Sequence, residues 1–307
     1  MSNLRLLSSY RSHAYHAHAI FILNEYLEKT VPRASQSRTH SKRRNNERLI
    51  LYIDSRPQIL LRAVVLNTLL MTGFQYNILI LTTQESLSSM SALFLDVAEL
   101  VSVKVLSSDG QPIVNQFDVA TYNRVLKEPS FWINIGSDKL LIAQADSMLI
   151  RPLGDRYWSF DFIGAPWSPG KHISHPFYKY DALDSISPGE MWETTIFSPG
   201  LSGQTFTPVG NGGFSIRSTS LMSQIAAKHD SPATEPEDVF YSRYASRYSQ
   251  YLANIDEASS FCCETSYYPS TAFHASYLYL TCSEQAKLYE THLKHVIGMI
   301  TCLLAQS

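Results

Sequence analysis

The stretch Leu49-Ile50-Leu51-Tyr52-Ile53-Asp54-Ser55-Arg56-Pro57 decides the fold. Five apolar residues in a row, closed by an acid, suit a strand buried on both faces of a parallel sheet rather than one with a wet face. Pro57 then opens a helix, because proline fits the first helical turn, and Leu61, Val64, Val65, Thr68 and Leu69 form a stripe at helical spacing. Working outward, the same alternation recurs. A strand is expected over 77–81, a helix over 87–98, a strand over 101–105, a short helical segment around Phe131-Trp132 and a strand over 139–143. Strands separated by helices of this length predict right-handed βαβ units, hence an α/β fold with a central, mostly parallel sheet and helices on both faces.

Beyond residue 160 the rhythm loosens. Asp161 to Gly164 reads as a short strand, and regular structure resumes with a strand from Gly213 to Ile216. Helices follow near Leu221 to Lys228 and from Pro236, then a strand over 261–264 and a closing helix from about Ser283 to Leu304. Residues 165–208 hold prolines and aromatics, Phe177, Tyr178, Tyr180 and Trp192 among them, without a period, as expected of a lid or binding loop. At the front, residues 12–29 read as a helix that Pro32 stops. Lys29 to Arg48, with seven basic residues and one acid, reads as a solvated linker or arm.

The chain has 307 residues, 45% apolar and 17% charged, which excludes a disordered or collagenous chain. Its net charge of −2 hides +6 in residues 1–48 and −8 in the rest. The acidic body argues against nucleic acid as a partner, while the basic front is suited to peripheral contact with an anionic membrane. Residues 63–84 carry no charge, yet Asn67, Thr68, Thr72, Gly73, Gln75 and Asn77 interrupt them, so no membrane span is expected. No signal peptide is read, and the four cysteines contain no C-x-x-C pair. A cytoplasmic protein with reduced thiols is the simplest expectation.

Ligands of open α/β sheets bind beyond the carboxyl ends of the strands. Three features there carry chemistry. Asp146, in Gln144-Ala145-Asp146-Ser147, suits a divalent cation, or equally a helix cap. Gly210-Asn211-Gly212-Gly213 would bring backbone N–H groups to phosphate or sugar oxygens, or form a tight turn entering a strand. Thr234-Glu235-Pro236-Glu237-Asp238 supplies a candidate general base; a capping box from Thr234 to Glu237 accounts for Glu237 and leaves Asp238 as the better base. Absence of G-x-G-x-x-G and of a P-loop after the first strand takes the main support from the dinucleotide-binding and P-loop readings.

In order along the chain stand Arg56-Pro57, Tyr122-Asn123-Arg124, Phe131-Trp132, Gln144-Ala145-Asp146-Ser147, Phe162-Ile163-Gly164-Ala165-Pro166-Trp167, Gly210 to Arg217 and Pro236-Glu237-Asp238-Val239-Phe240. This set resembles a glycosyltransferase-like family catalogued as a domain of unknown function and related to GT-A nucleotide-sugar transferases. The resemblance covers about residues 49–280, leaving 1–48 as an N-terminal helix with a basic linker and 281–307 as a C-terminal helix. It implies a GT-A-like, Rossmann-like sandwich that transfers sugar from a nucleotide donor, a UDP-sugar ahead of a GDP-sugar, to a glycan or glycoconjugate hydroxyl. Inversion, with Mn²⁺ or Mg²⁺ as cofactor, is the expected course.

Carried over by position, the resemblance makes Asp238, with Glu237 beside it, catalytic, and Asp146 and His274 metal ligands. Asp54, Ser55, Arg56, Gln144, Asp146, Asn211, Gly212 and Gly213 would bind the donor. Gln144 stands where the family pattern often has an acid and would at most hydrogen-bond the ribose. A lone histidine such as His274 is also compatible with a structural role. The alternative function is a catalytically silent GT-A fold that binds a nucleotide sugar or glycan.

Overall fold

A computed structural model describes residues 2–38, 47–166, 209–232 and 235–305. The aromatic segment expected to form a lid, with Trp167, Phe177, Tyr178, Tyr180 and Trp192, lies outside the described residues, as does Thr234. In chain order the elements begin with α1 (Ser2–Ile22), a π-helical turn (Leu23–Leu27), α2 (Glu28–Arg38), β1 (Arg48–Ile53), α3 (Ile59–Met71) and β2 (Asn77–Thr82). Next come α4 (Leu87–Leu93), β3 (Val101–Val105), the small hairpin β4 (Ser107–Ser108) and β5 (Gln111–Pro112), α5 (Val119–Leu126), α6 (Pro129–Asn134), β6 (Lys139–Ala143) and β7 (Ser147–Leu149). The rest is β8 (Phe162–Pro166), β9 (Val209–Ser218), α7 (Thr219–Lys228), α8 (Glu237–Tyr248), α9 (Ile255–Phe261), β10 (Cys262–Cys263), β11 (Ala272–His274), α10 (Ser276–Tyr279) and α11 (Cys282–Leu304).

The central sheet has six strands in the order β3-β2-β1-β6-β9-β8. β3, β2, β1 and β6 run parallel, whereas β9 is antiparallel to both of its neighbours. The pleat divides each apolar strand between two cores, because successive side chains point to opposite faces. Ile50, Tyr52, Ile78, Ile80 and Leu141 face one layer, packed with α1, α3 and α9. Leu51, Ile53, Leu79, Leu81, Leu140 and Ile142 face the other, packed with α5 to α8. Helices on both faces of a mostly parallel sheet are what the opening stretch predicts.

The front of the chain departs from expectation. Pro32 does not stop the helix but lies inside α2, so part of the anticipated linker is helical. A proline in a helix interior costs about 3 kcal/mol. Against that, Leu27 and Val31 are fully buried, and Glu28 grips Arg62 of α3, which also holds Asp96. Tertiary burial and this ion triad override the local breaker. The two terminal helices join the same core as the sheet: Tyr15, Ala19 and Ile22 of α1 and Leu288 and Val296 of α11 all belong to it. Trp158 is likewise a core residue. No described helix is long and apolar enough to cross a membrane.

Behind this layer runs a buried polar chain. His18 Nε2 lies 2.9 Å from His292 Nδ1, His292 Nε2 lies 2.7 Å from Asn67 Oδ1, and Asn67 Nδ2 donates to the Leu149 carbonyl. Tyr289 stacks on the His18 ring. Burial pushes His18 down to about 4, and burial, then the neighbouring His18 and His295, push His292 well below its ordinary value. Both imidazoles are therefore neutral in the fold, while in the unfolded chain they take up protons near 6.5. Their contribution to stability is complete above that value and is lost as pH falls toward about 4. Melting temperatures measured between neutral pH and this acid limit should fall, and His18→Phe, which keeps the stack on Tyr289, should show a shallower fall.

Candidate functional site

The chain leaves β1, builds β2 and β3 on one side, then returns to place β6 on β1's other side. The carboxyl ends of β1 and β6 therefore part at a topological switch point, where open α/β sheets form their crevices. A cleft of about 970 Å³ opens there. Asp54, Ser55, Arg56, Gln144, Asp146, Asn211, Gly212, Gly213, Glu237, Asp238 and His274 all line it. The residues named for catalysis, donor binding and metal ligation thus line one cavity, although each arrives by a different route and not all keep the expected task.

Because β9 is antiparallel, its beginning lies beside the end of β6, and the Gln144 N–H donates to the Gly213 carbonyl. β11 runs antiparallel to β7 with His274 opposite Ser147, and the Ala275 N–H donates to the Asp146 carbonyl. The central sheet and the three-stranded sheet β10-β11-β7 thereby bring together residues far apart in sequence. His274 Nε2 lies 3.4 Å from Asp146 Oδ1 and 3.2 Å from Gln144 Oε1. On the other edge of the ring, Nδ1 lies 3.1 Å from Glu264 Oε2.

Charge within this group is tightly coupled. Burial works against a charged His274, but Glu264 and Asp146 outweigh it and raise its affinity for a proton well above the ordinary value. Burial likewise tends to raise Asp146, yet His274 and the Tyr277 hydroxyl hold its carboxyl below the usual range. Tyr277 donates to Asp146 Oδ2 at 3.1 Å.

The glycines serve a purpose other than the one expected. Gly210 to Gly213 belong to β9 rather than to a turn, and of the three glycines only Gly210 has positive φ, at 121°. The Gly212 N–H is not free for a ligand, since it donates to Asp238 Oδ2 at 2.9 Å. Gly213 N–H faces Asn211 Oδ1 at 3.4 Å. What requires glycine is close approach: a Cβ on Gly213 would come within 2.1 Å of the His274 ring, and one on Gly212 within 2.4 Å of Glu237.

Glu237 needs the clearest correction. It points into the protein, 3% exposed, against a fully buried Arg217. The Arg217 guanidinium makes two hydrogen bonds to this carboxylate, donates to Ser215 Oγ and lies over the Phe162 and Tyr241 rings. Its charge is taken up by the Arg217 guanidinium, so Glu237 serves as the anchor of α8 on β9, and Pro236 is the N-cap of that helix. Asp238, next in the first turn, is directed to the cleft, where Gly212 and Val239 N–H groups hold its two oxygens. Burial first, and then the charge of Glu237, push its carboxyl up to about 7, opposed by the Gly212 hydrogen bond.

At the far wall Asp54 is buried and receives the Arg56 backbone N–H, Arg56 Nε and Arg56 Nη2. It orients Arg56, whose side chain remains 62% exposed, so the cation rather than the acid is presented. Sequence reasoning quoted Arg217 without giving it a role and missed Glu264, Tyr277 and Tyr15. Tyr15 of α1 donates to the Ala145 carbonyl, and no local pattern announces such a contact.

The residues fit a divalent cation in part. Asp146 and His274 are a suitable donor pair, and Mg²⁺ or Mn²⁺ commonly takes few protein ligands, with phosphate and water completing the shell. No group of three or more His, Cys, Asp or Glu able to hold a metal occurs among the described residues.

Removing one member of the buried pair strands a charge, so Glu237→Ala should cost about 3–5 kcal/mol of stability in urea unfolding. Glu237→Leu combined with Arg217→Met should recover most of that loss. An Ala variant as stable as the parent would show that this pair does not anchor α8.

A search among curated proteins finds no match to the chain. A family model described as "Protein of unknown function (DUF5672)" matches residues 111–282, which includes Asp146, Asp238 and His274 and leaves out β1 and α1. Since that match covers more than half of the sequence, the chain belongs to the DUF5672 family.

Proposed function

We propose that the protein is a glycosyltransferase of GT-A-like fold, moving a sugar from a nucleotide-sugar donor to an acceptor hydroxyl with inversion. The observation that carries this reading is the grouping in one cleft of Asp146, which faces His274 at 3.4 Å, and Asp238, held by two backbone N–H groups, with the two carboxyls shifted in opposite directions. Asp146 is held ionised below the usual range, and Asp238 is raised to about 7. Environments that push paired acids apart divide their roles: the first suits a cation or a developing positive charge, the second suits taking a proton at neutral pH.

Asp146 and His274 would hold Mn²⁺ or Mg²⁺, which when bound offsets the negative charge of a diphosphate leaving group. Arg56, presented by Asp54, pairs with a phosphate oxygen. Asp238 accepts the acceptor's hydroxyl proton while that oxygen bonds to the anomeric carbon. The carbon–oxygen bond to the diphosphate breaks, and its electron pair leaves with the nucleotide. Gly212 and Val239 N–H groups fix the Asp238 oxygens, so the base loses little orientational freedom in the step.

Gln144 in place of an acid favours a second reading, a binding module without turnover. Incubation with Mn²⁺ and a panel of UDP- and GDP-sugars, following nucleoside diphosphate release, separates the two. Turnover should rise with pH until Asp238 is ionised, near 7, and then level off. Asp238→Asn should lower the rate by about 10²–10⁴-fold. Donor binding without release would support the module, and an active Asp238→Asn enzyme would remove Asp238 as the base.

A further inference from the structure

Glu264 follows β10 and is 5% exposed, and its Oε2 makes no hydrogen bond among the described residues. The parallel pairing of β10 with β11 sets Cys263 against Phe273, which carries Glu264 alongside His274. There Oε2 faces the imidazole Nδ1 at 3.1 Å, at an angle that makes the contact one of charge rather than a formed hydrogen bond. A buried carboxylate is costly unless something compensates it. The group that it faces is the ring whose opposite nitrogen meets Asp146 and Gln144.

We infer that Glu264 is a positioning residue for the cation site, supplying from behind the imidazole the negative charge that Gln144 does not. The inference rests on the reading of Asp146 and His274 as metal ligands given above. Two features of the geometry converge on it. Gly213 lies so close to the His274 ring that a Cβ would come within 2.1 Å, so the ring has a backbone wall on that side. Glu264 then stands at Nδ1 and leaves Nε2 toward Asp146 and Gln144. A carboxylate behind the far nitrogen of a histidine makes its metal-facing nitrogen more basic. Asp146 and Glu264 together carry the charge of two acids, although only one of them stands at the ligand position.

The test uses the full chain and Mn²⁺ alone, titrated by electron paramagnetic resonance, with thermal melting of every variant alongside. Glu264→Leu should weaken Mn²⁺ binding by about 10–100-fold, the usual effect of losing such an outer partner. Glu264→Gln, which keeps shape but not charge, should weaken it too. Adding Gln144→Asp to either variant should restore affinity by returning the charge at the ligand position. With a purely structural Glu264, Gln144→Asp would raise affinity by no more in the Glu264 variants than it does in the parent.

Parent-like binding by both Glu264 variants overturns the inference while leaving the metal site intact. Should Glu264→Leu fail to melt cooperatively, Glu264→Gln and its Gln144→Asp partner decide alone. If the parent binds no more Mn²⁺ than Asp146→Ala and His274→Ala do, the metal reading itself fails, and the inference falls with it.

Discussion

Arg217 is wholly buried in a strand, and the cleft depends on how it is compensated. A guanidinium cannot shed its proton to escape burial, so the fold must bring a carboxylate to it. Glu237 does so, and in doing so it fixes where α8 starts relative to β9. Once that residue is turned inward, the next one in the first helical turn is directed elsewhere. Asp238 meets the Gly212 N–H, two short elements become one wall, and the charge of Glu237 helps to raise the Asp238 carboxyl. The acid that looks like a second catalytic candidate in the sequence is thus the anchor that tunes the first.

How much of this was legible in the sequence follows from the range of the forces involved. β1, β2 and β6 fall where their apolar runs place them, because a strand covered on both faces has few polar residues to blur its limits, while the edge strand β3 is legible from alternation, with Ser102 and Lys104 exposed. β9 was read too short, since glycines look like a turn when only local conformational freedom is considered. Their actual cause is the His274 ring and the Glu237 carboxylate pressing on the strand from distant segments. Pro32 misled for the same reason, as the Glu28 to Arg62 ion pair that overrides it spans α2 and α3. Acid-rich spacing singled out Glu237 and Asp238 together but not the direction of each side chain, and so it could not show that Glu237 is bound to Arg217.

Electrostatics also explains why one cleft can hold several acids. Asp54 is matched by Arg56, Glu237 by Arg217, and Asp146 and Glu264 share His274. Asp238 has backbone N–H partners instead of a cation, which leaves it the acid with a proton affinity near neutrality. Its difference from Asp146 comes from partners and not from residue type, a distinction that the sequence alone cannot express.

The matched family region begins at residue 111, yet the site is not confined to it. Tyr15 of α1 donates to the Ala145 carbonyl, and its ring stacks on Tyr277, whose hydroxyl holds Asp146. Behind them, His18 of α1 and His292 of α11 meet over Asn67 of α3, and Asn67 in turn holds the Leu149 carbonyl at the end of β7. β7 is the strand that sets His274 opposite Ser147. A terminal helix that reads in the sequence as an appendage is therefore joined by hydrogen bonds to both sides of the Asp146 loop. The position of Asp146 relative to His274 is consequently a property of the whole chain, set as much by the docking of α1 as by the strand on which Asp146 follows.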